Sequence, residues 1–264
     1  MATIDTRLAA NDPVPQIRAR VAACTRLLNM AGILHYSGHV SQRAPGEDAL
    51  YIQSRGESRA EVTPASVLKV DFDGNVLEGD DKPPSELVIH TGIYRARPDI
   101  GAVIHNHMPM AAALTMARGA RFEVMDFHAA HWVDGVRVMR AVGHIKTEAD
   151  GAALAACLGD GNALLLRAHG LVLTAESAPG LLVDTLHFED NVNALKQAFA
   201  FSRSVEPVAG EDFERIGLTE DREHRVRKMW NYYVLKGVRA GAIPECWQGY
   251  PDVTLYRPGE GPRS

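Results

Sequence analysis

Residues 83–107 read PPSELVIHTGIYRARPDIGAVIHNH, and the rest of the chain is interpreted outward from this stretch. Its first half predicts a helix over residues 86–97, because Ser85 is a common N-cap residue and Pro98 cannot continue a helix. Its second half predicts a strand over residues 100–104, an apolar run of strand length. The stretch is therefore expected to fold as a helix that leads into an apolar strand.

Two histidines, His105 and His107, follow the predicted strand two residues apart. Alternate side chains of a strand point to the same face, so both imidazoles are expected on one side of the strand end. A second apolar strand, over residues 163–166, leads to His169, and Glu86 opens the preceding helix. Three imidazoles and one carboxylate suit Zn²⁺, Mn²⁺, Fe²⁺ or Co²⁺, among which the sequence does not choose.

Each of these residues also has a structural interpretation. With 11 histidines in the chain, an i, i+2 pair is common by chance. Glu86 would be favourable at the start of any helix, because a carboxylate there complements the helix dipole. His90, on the same helix face, is expected to be a core or interface residue. The combination of two strand ends with histidines and a helix that begins with glutamate favours the metal site.

The composition argues against several classes of partner. The chain has 28 Lys and Arg against 33 Asp and Glu, a net charge of −5, which disfavours nucleic acid or an anionic membrane. No apolar run approaches the roughly 20 residues that span a bilayer, and residues 1–16 lack the pattern of an export signal. The three cysteines are far apart, as expected for reduced thiols of a cytoplasmic protein: Cys24, Cys157 and Cys246.

Helical and strand patterns follow one another without a regular βαβ rhythm, which favours an α/β layered domain with a largely antiparallel or mixed sheet. Asp73, Gly74 and Asn75 predict a hairpin-type turn. The other predicted helices are 13–30, 110–116, 147–158 with Thr147 as N-cap, 181–201 and 219–239. The other predicted strands are a short one that follows a glycine turn within residues 35–43, and 49–53, 67–72, 76–77, 138–142, 163–166 and 171–173. No glycine-rich nucleotide loop is present, so no nucleotide cofactor is expected.

Four segments together resemble the class II aldolase/adducin family: residues 32–43 (GILHYSGHVSQR), 63–79 (TPASVLKVDFDGNVLEG), 83–107 and 164–173 (LLLRAHGLVL). They occur in the family's order, and the similarity extends over most of the chain. The resemblance implies a three-layer α/β/α sandwich around a mostly antiparallel sheet. The chain is expected to form a single domain of this type over residues 1–264, with an N-terminal arm (1–12) and a C-terminal helical extension (about 211–264).

The resemblance also implies the functional residues. The metal ligands are His105, His107 and His169, which hold one divalent ion per subunit, and Glu86 is the catalytic acid or base. The family's enzymes are usually homotetramers with each active site at a subunit interface.

Three positions depart from the family members that act on phosphorylated sugars. Those members bind phosphate with a Gly-Asn-Ile/Leu-Ser turn, a Thr-Gly loop and a Ser-Ser pair, whereas this chain has His39 in the turn before Ser41, Arg55 in the loop, and Pro84 before Ser85. Arginine grips carboxylates in a bidentate way, so these four residues, His39, Ser41, Arg55 and Ser85, predict a site for a carboxylated substrate without phosphate. The other interpretation is that His39 only packs.

The segment that carries the proton donor in family aldolases also differs in this chain. Family aldolases use a tyrosine from the neighbouring subunit in a segment that corresponds to residues 126–131, where this chain has none. His128 or His131 could supply the proton, because imidazole titrates near neutral pH. Tyr232 and Tyr233 are weaker candidates.

The turn variant resembles the family branch that decarboxylates aromatic hydroxy-dicarboxylates. The predicted function is therefore a metal-dependent carbon–carbon lyase that decarboxylates such a substrate through an enolate. The alternatives are an aldolase or epimerase that acts on a sugar or sugar acid, and a non-catalytic binding module of the adducin type. The sequence leaves open the substrate, the metal and the proton donor.

Overall fold

The computed structural model describes residues 13–209, 211–213, 222–245 and 247. Its elements in chain order are α1 (Pro13–Met30), β1 (His39–Arg43), β2 (Ala49–Ile52), β3 (Leu68–Asp71), β4 (Val76–Glu78), α2 (Leu87–Ala96), β5 (Ala102–Asn106), α3 (Pro109–Met116), a short 3-10 helix (Phe127–Trp132), β6 (Arg137–Met139), α4 (Glu148–Leu158), β7 (Ala163–Leu166), β8 (Gly170–Ala175), α5 (Ala178–Phe201) and α6 (Arg222–Arg239).

The strands form one sheet in the order β4-β3-β2-β1-β5-β8-β7-β6. Every neighbouring pair is antiparallel except β6 and β7, which are parallel. The prediction of a mostly antiparallel sheet is confirmed. Strand β5 lies at the centre of the sheet, so the histidines that it carries are surrounded by structure on both sides.

Side chains of the central strand alternate between two apolar cores. Ala102 and Ile104 belong to the core that includes residues of α1 and α5, whereas Val103 belongs to the core that includes residues of α2 and α4. Successive strand residues point to opposite faces, so one strand serves both cores. Helices therefore cover the sheet on both faces, and the predicted three-layer α/β/α sandwich is confirmed.

Local sequence signals placed several elements correctly. Helix α4 begins after Thr147, whose side chain accepts a hydrogen bond from the Asp150 amide, and the Asp150 carboxylate accepts one from the Thr147 amide. The predicted hairpin turn joins β3 to β4, with Gly74 at a φ of 92° and the Asn75 amide bonded to the Asp71 side chain.

Helices α2 and α5 start at positions other than those predicted. Ser85 is not the N-cap of α2: Glu86 occupies the cap position, with no side-chain cap hydrogen bond, and the helix begins at Leu87. The Glu86 carboxylate is directed instead into the site described below. Helix α5 begins at Ala178, three residues before the predicted start, because Ser177 caps it through the Gly180 amide.

The C-terminal helix packs on the body of the domain. Helix α6 contacts α5 and α1, and Arg222 at its start forms ion pairs with Asp184 and Glu176. The predicted arm over residues 1–12, Cys246, and much of the predicted C-terminal extension lie outside the described residues. Among the helices that the structure describes, none has the length and apolar character needed to cross a membrane.

Candidate metal centre

Four side chains that the sequence singled out converge where strands β5 and β7 end. His105 is the fourth residue of β5, His107 follows the end of that strand, and His169 lies in the turn between β7 and β8. Glu86 reaches the same point from the start of α2. One ligand atom from each of the four residues lies within 4.8 Å of the others, an arrangement able to hold a metal ion.

The three imidazoles approach one another through their Nε2 atoms. His107 Nε2 lies 3.1 Å from His105 Nε2 and 3.1 Å from His169 Nε2. The Glu86 carboxylate lies slightly farther away, with Oε2 at 3.6 Å from His105 Nε2 and Oε1 at 3.8 Å from His169 Nε2. The three nitrogens and the carboxylate therefore surround a common point.

The outer nitrogens and the carboxylate are oriented by hydrogen bonds. His105 Nδ1 lies 3.1 Å from the Leu171 carbonyl oxygen, which can only accept, so Nδ1 carries the proton and Nε2 keeps its lone pair. His107 Nδ1 lies 2.8 Å from the Ser37 hydroxyl. Glu86 Oε1 accepts a hydrogen bond of 3.0 Å from the Ile145 amide. These partners hold the side chains in place before any ligand binds.

Burial keeps the imidazoles neutral. The pKa of His105 is held well below its ordinary value of 6.5 by burial and by the neighbouring His39. The pKa values of His107 and His169 are also lowered, in both cases mainly by burial. Metal ions bind the neutral form of imidazole, so the site presents its histidines in the form required.

The donor set fits a divalent ion. Zn–N bonds of about 2.0–2.1 Å in a tetrahedral site place neighbouring nitrogens about 3.3 Å apart, close to the observed nitrogen separations. Unprotonated nitrogens at such distances repel one another unless a cation or a proton lies between them. Nitrogen and carboxylate ligands suit Zn²⁺, Mn²⁺, Fe²⁺ or Co²⁺ alike, so the geometry does not choose among them.

His39 and Ser41, predicted to bind substrate, lie beside the centre but are engaged with the protein. His39 is 5% exposed, and its Nδ1 lies 2.6 Å from Nε2 of His90. The Ser41 hydroxyl is fully buried, 2.6 Å from His90 Nδ1 and 2.8 Å from the Tyr94 hydroxyl. His90 is thus a core residue, as expected, and it connects α2 to β1.

The remaining predicted site residues do not join the four convergent groups. Arg55 and Ser85 are exposed. His128 lies on the 3-10 helix, where its Nδ1 is 2.9 Å from an Asp126 oxygen and its ring stacks on His187 at a centroid distance of 4.8 Å. His131, on the same helix, is exposed.

Two residues near the site were missed. His144 lies with its Nδ1 3.7 Å from Glu86 Oε1, although its side chain is 72% exposed. Arg59 is 5% exposed and donates from Nε to the Gly38 carbonyl, and burial lowers its pKa. Neither residue has a local signal: Arg59 is in the same polar loop as Arg55, and only the path of that loop decides which guanidinium is buried.

Comparison with known proteins places these features in a family. The family described as "Class II Aldolase and Adducin N-terminal domain" matches residues 19–193. Human beta-adducin is 32% identical over 216 residues, a match that covers 79% of this chain and 28% of beta-adducin. A 3,4-dihydroxyphthalate decarboxylase from Arthrobacter keyseri is 34% identical over 189 residues, which are 64% of this chain and 75% of that protein.

Solved structures share the fold. An aldolase II superfamily protein from Pseudomonas syringae aligns with a TM-score of 0.78 at 23% identity, over 90% of this chain and 98% of its own. L-fuculose 1-phosphate aldolase from Glaciozyma antarctica aligns with a TM-score of 0.72 at 18% identity, over 87% and 91% of the two chains. Because the family match covers well over half of the sequence, the chain belongs to the class II aldolase and adducin N-terminal domain family.

Proposed function

We propose that this protein is a divalent-metal-dependent carbon–carbon lyase that decarboxylates a non-phosphorylated aromatic hydroxy-carboxylate. The observation that carries the proposal is the convergence of three imidazole Nε2 atoms and the Glu86 carboxylate on one point. The similarity to 3,4-dihydroxyphthalate decarboxylase supports the substrate class. Zn²⁺, Mn²⁺, Fe²⁺ and Co²⁺ all remain candidates for the ion.

The reaction makes two demands on the site. Loss of CO₂ breaks a carbon–carbon bond and leaves its electron pair on the substrate, and that carbon must then receive a proton. An ion held by His105, His107 and His169 would supply a Lewis acid next to the developing negative charge. Glu86 is 6% exposed and is held by the Ile145 amide, so its other oxygen is available to carry the proton.

Substrate recognition is assigned to the rim and the wall of the site. Arg55 and Ser85 are exposed and can bind a carboxylate that enters from solvent. Arg59, whose charge acts on His39, would add a buried guanidinium to that recognition. His39 and Ser41 would shape the wall through their bonds to His90, the role that their contacts best support.

The final proton is assigned to a neighbouring subunit. His128 and His131 are not among the four convergent groups of their own chain, and a homotetramer with active sites at subunit interfaces would bring them to a neighbour's metal centre. Either imidazole could then supply the proton that Glu86 passes to the substrate carbon.

Metal content and turnover test the proposal. We expect about one divalent ion per chain by elemental analysis, a His105→Ala variant without metal or activity, and a Glu86→Gln variant that keeps the metal but loses at least about 100-fold in kcat. His224→Gln, on the exposed face of α6, is the control and should retain both. Full metal occupancy in a His105→Ala, His107→Ala double variant would contradict the assignment.

A substrate panel separates the alternatives. The metal-loaded protein should release CO₂ from 3,4-dihydroxyphthalate and should not cleave L-fuculose 1-phosphate. Cleavage of the sugar phosphate alone would favour the aldolase. Absence of bound metal and of turnover would favour a binding module like that of adducin.

A further inference from the structure

The structure has a second candidate site besides the metal centre. A cavity of about 660 Å³ lies between the end of α3, the segment that follows it, β6 and β7. Four of its lining residues are arginines and none is acidic: Arg118, Arg121, Arg140 and Arg167. None of the four metal-centre residues lines this cavity.

The four guanidiniums lack the acidic partners that several other arginines of this chain have. Arg95, Arg97 and Arg137 each pair with an aspartate. By contrast, within the described ranges no ion pair or side-chain hydrogen bond involves the cavity arginines. Arg118, Arg121 and Arg140 are exposed and Arg167 is half-buried. Four positive charges that line one cavity repel one another, and the chain has an excess of acidic residues that could have neutralised them. A ligand that brings negative charge would relieve this repulsion.

Apart from Thr115 and the glycine backbone, the rest of the lining is apolar. Leu114, Phe122 and Leu165 contribute to the wall, and Phe122 is held by stacking on Phe188 at a centroid distance of 4.9 Å. Cavities that combine an apolar wall with a few converging polar groups are typical of small-molecule sites. Guanidinium groups bind carboxylate and phosphate oxygens in a bidentate way.

We propose that this arginine cavity binds a small organic polyanion, a molecule with two or more carboxylate or phosphate groups on an apolar body. The site is separate from the proposed lyase centre. A His105→Ala variant is therefore expected to bind such a ligand as the parent protein does, even if the proposed reaction is wrong.

Calorimetric titration of the full chain with trimesate, an aromatic tricarboxylate, and with inorganic pyrophosphate tests the proposal. We expect trimesate to bind with a Kd below about 1 mM and more tightly than pyrophosphate. Arg121→Gln and Arg140→Gln should each weaken trimesate binding at least about tenfold. Arg121→Lys keeps the charge but loses the planar fork, so its effect should be intermediate.

Arg203→Gln, the same charge change at an exposed arginine outside the cavity, is the matched control and should bind trimesate normally. Equal weakening in this control would show that binding depends only on net charge, and it would contradict a binding site in the cavity. Absence of trimesate binding, or tighter binding of pyrophosphate than of trimesate, would contradict the proposal that the cavity binds an organic polyanion. If trimesate does not bind and Arg121→Gln instead changes the oligomeric state in light scattering, the arginines bind a second copy of the chain and the proposal is wrong.

Discussion

At the level of single residues, Ser41 is the middle of a buried chain of hydrogen bonds beside the metal centre. The chain runs from His39 through His90 and the Ser41 hydroxyl to the Tyr94 hydroxyl. Burial lowers the pKa of His90 to about 3, so the imidazole is neutral and has a single N–H to donate. The ring centroid of His39 lies 5.2 Å from that of His105, so these hydrogen bonds also support the imidazole of a proposed metal ligand.

Replacing Ser41 by alanine should therefore act on stability before it acts on substrate binding. We expect Ser41→Ala to lower the free energy of unfolding by about 1–3 kcal/mol, because His90 and Tyr94 each lose a partner that buried surroundings do not replace. Urea denaturation measures the loss. A double-mutant cycle with Tyr94→Phe should be non-additive, since the two hydroxyls share one hydrogen bond. A loss below about 0.5 kcal/mol together with a tenfold rise in KM would instead assign Ser41 to the substrate.

At the level of elements, α2 and α4 touch backbone to backbone. A Cβ atom built on Gly92 would lie 2.7 Å from the Gly151 carbonyl carbon, and one built on Gly151 would lie 2.4 Å from the Val88 carbonyl oxygen. Both distances are shorter than real Cβ contacts, so the two glycines let the helices approach. Helix α2 carries His90 and follows Glu86, and this close approach therefore also positions the metal centre.

We expect Gly151→Ala to lower the free energy of unfolding by about 1–3 kcal/mol, because the added methyl group forces the two helices apart. Gly56→Ala is the control: no atom lies within 4 Å of its Cβ position, so its effect should stay within about 0.5 kcal/mol. Thermal or urea unfolding compares the two. If Gly151→Ala is as stable as the control, the contact between α2 and α4 is looser than the structure indicates.

Elements with local signals could be predicted from the sequence, and those held by distant contacts could not. Strand β7 has the predicted bounds because a short apolar run ends before Arg167. The 3-10 helix was missed because FHAAHW has no helical apolar spacing. It is held by the Asp126 side chain on the His128 amide and by Trp132, which packs edge-on against Phe188.

The same distinction between local signals and distant contacts applies to the residues of the site. The spacing of His105 and His107 is local, and it placed both imidazoles on one side. The position of His169 depends on β8, which lies between β5 and β7 and is antiparallel to both. Strands β5 and β7 therefore end on the same side of the sheet, where His169 meets the other two histidines. The bonds of His39 and Ser41 to His90 depend on how α2 lies over β1. A strand pattern gives the face of a side chain but not the residue that lies opposite it.

At the level of the whole molecule, buried neutral histidines on both faces of the sheet make the fold sensitive to acid. His90 lies on α2, and His187 lies on α5 in the opposite layer. Burial is the main cause that lowers the pKa of His90 to about 3 and the pKa of His187 to about 4. The ordinary value in an unfolded chain is about 6.5. As pH falls below that value, the unfolded state takes up protons first. The contribution of these two histidines to the free energy of unfolding is therefore complete above about pH 6.5 and decreases below it.

His187→Gln should flatten this pH dependence, because it removes one group that the unfolded chain protonates and the folded chain does not. We expect the slope of the free energy of unfolding against pH to fall by up to about 1.4 kcal/mol per pH unit in the interval between the two pKa values. Urea denaturation at several pH values, with a chelator present so that metal release does not contribute, measures the slope. Parallel curves for the parent and the variant would mean that His187 takes up its proton at the same pH in the folded and the unfolded protein, and that the layer of α5 does not contribute to the acid sensitivity.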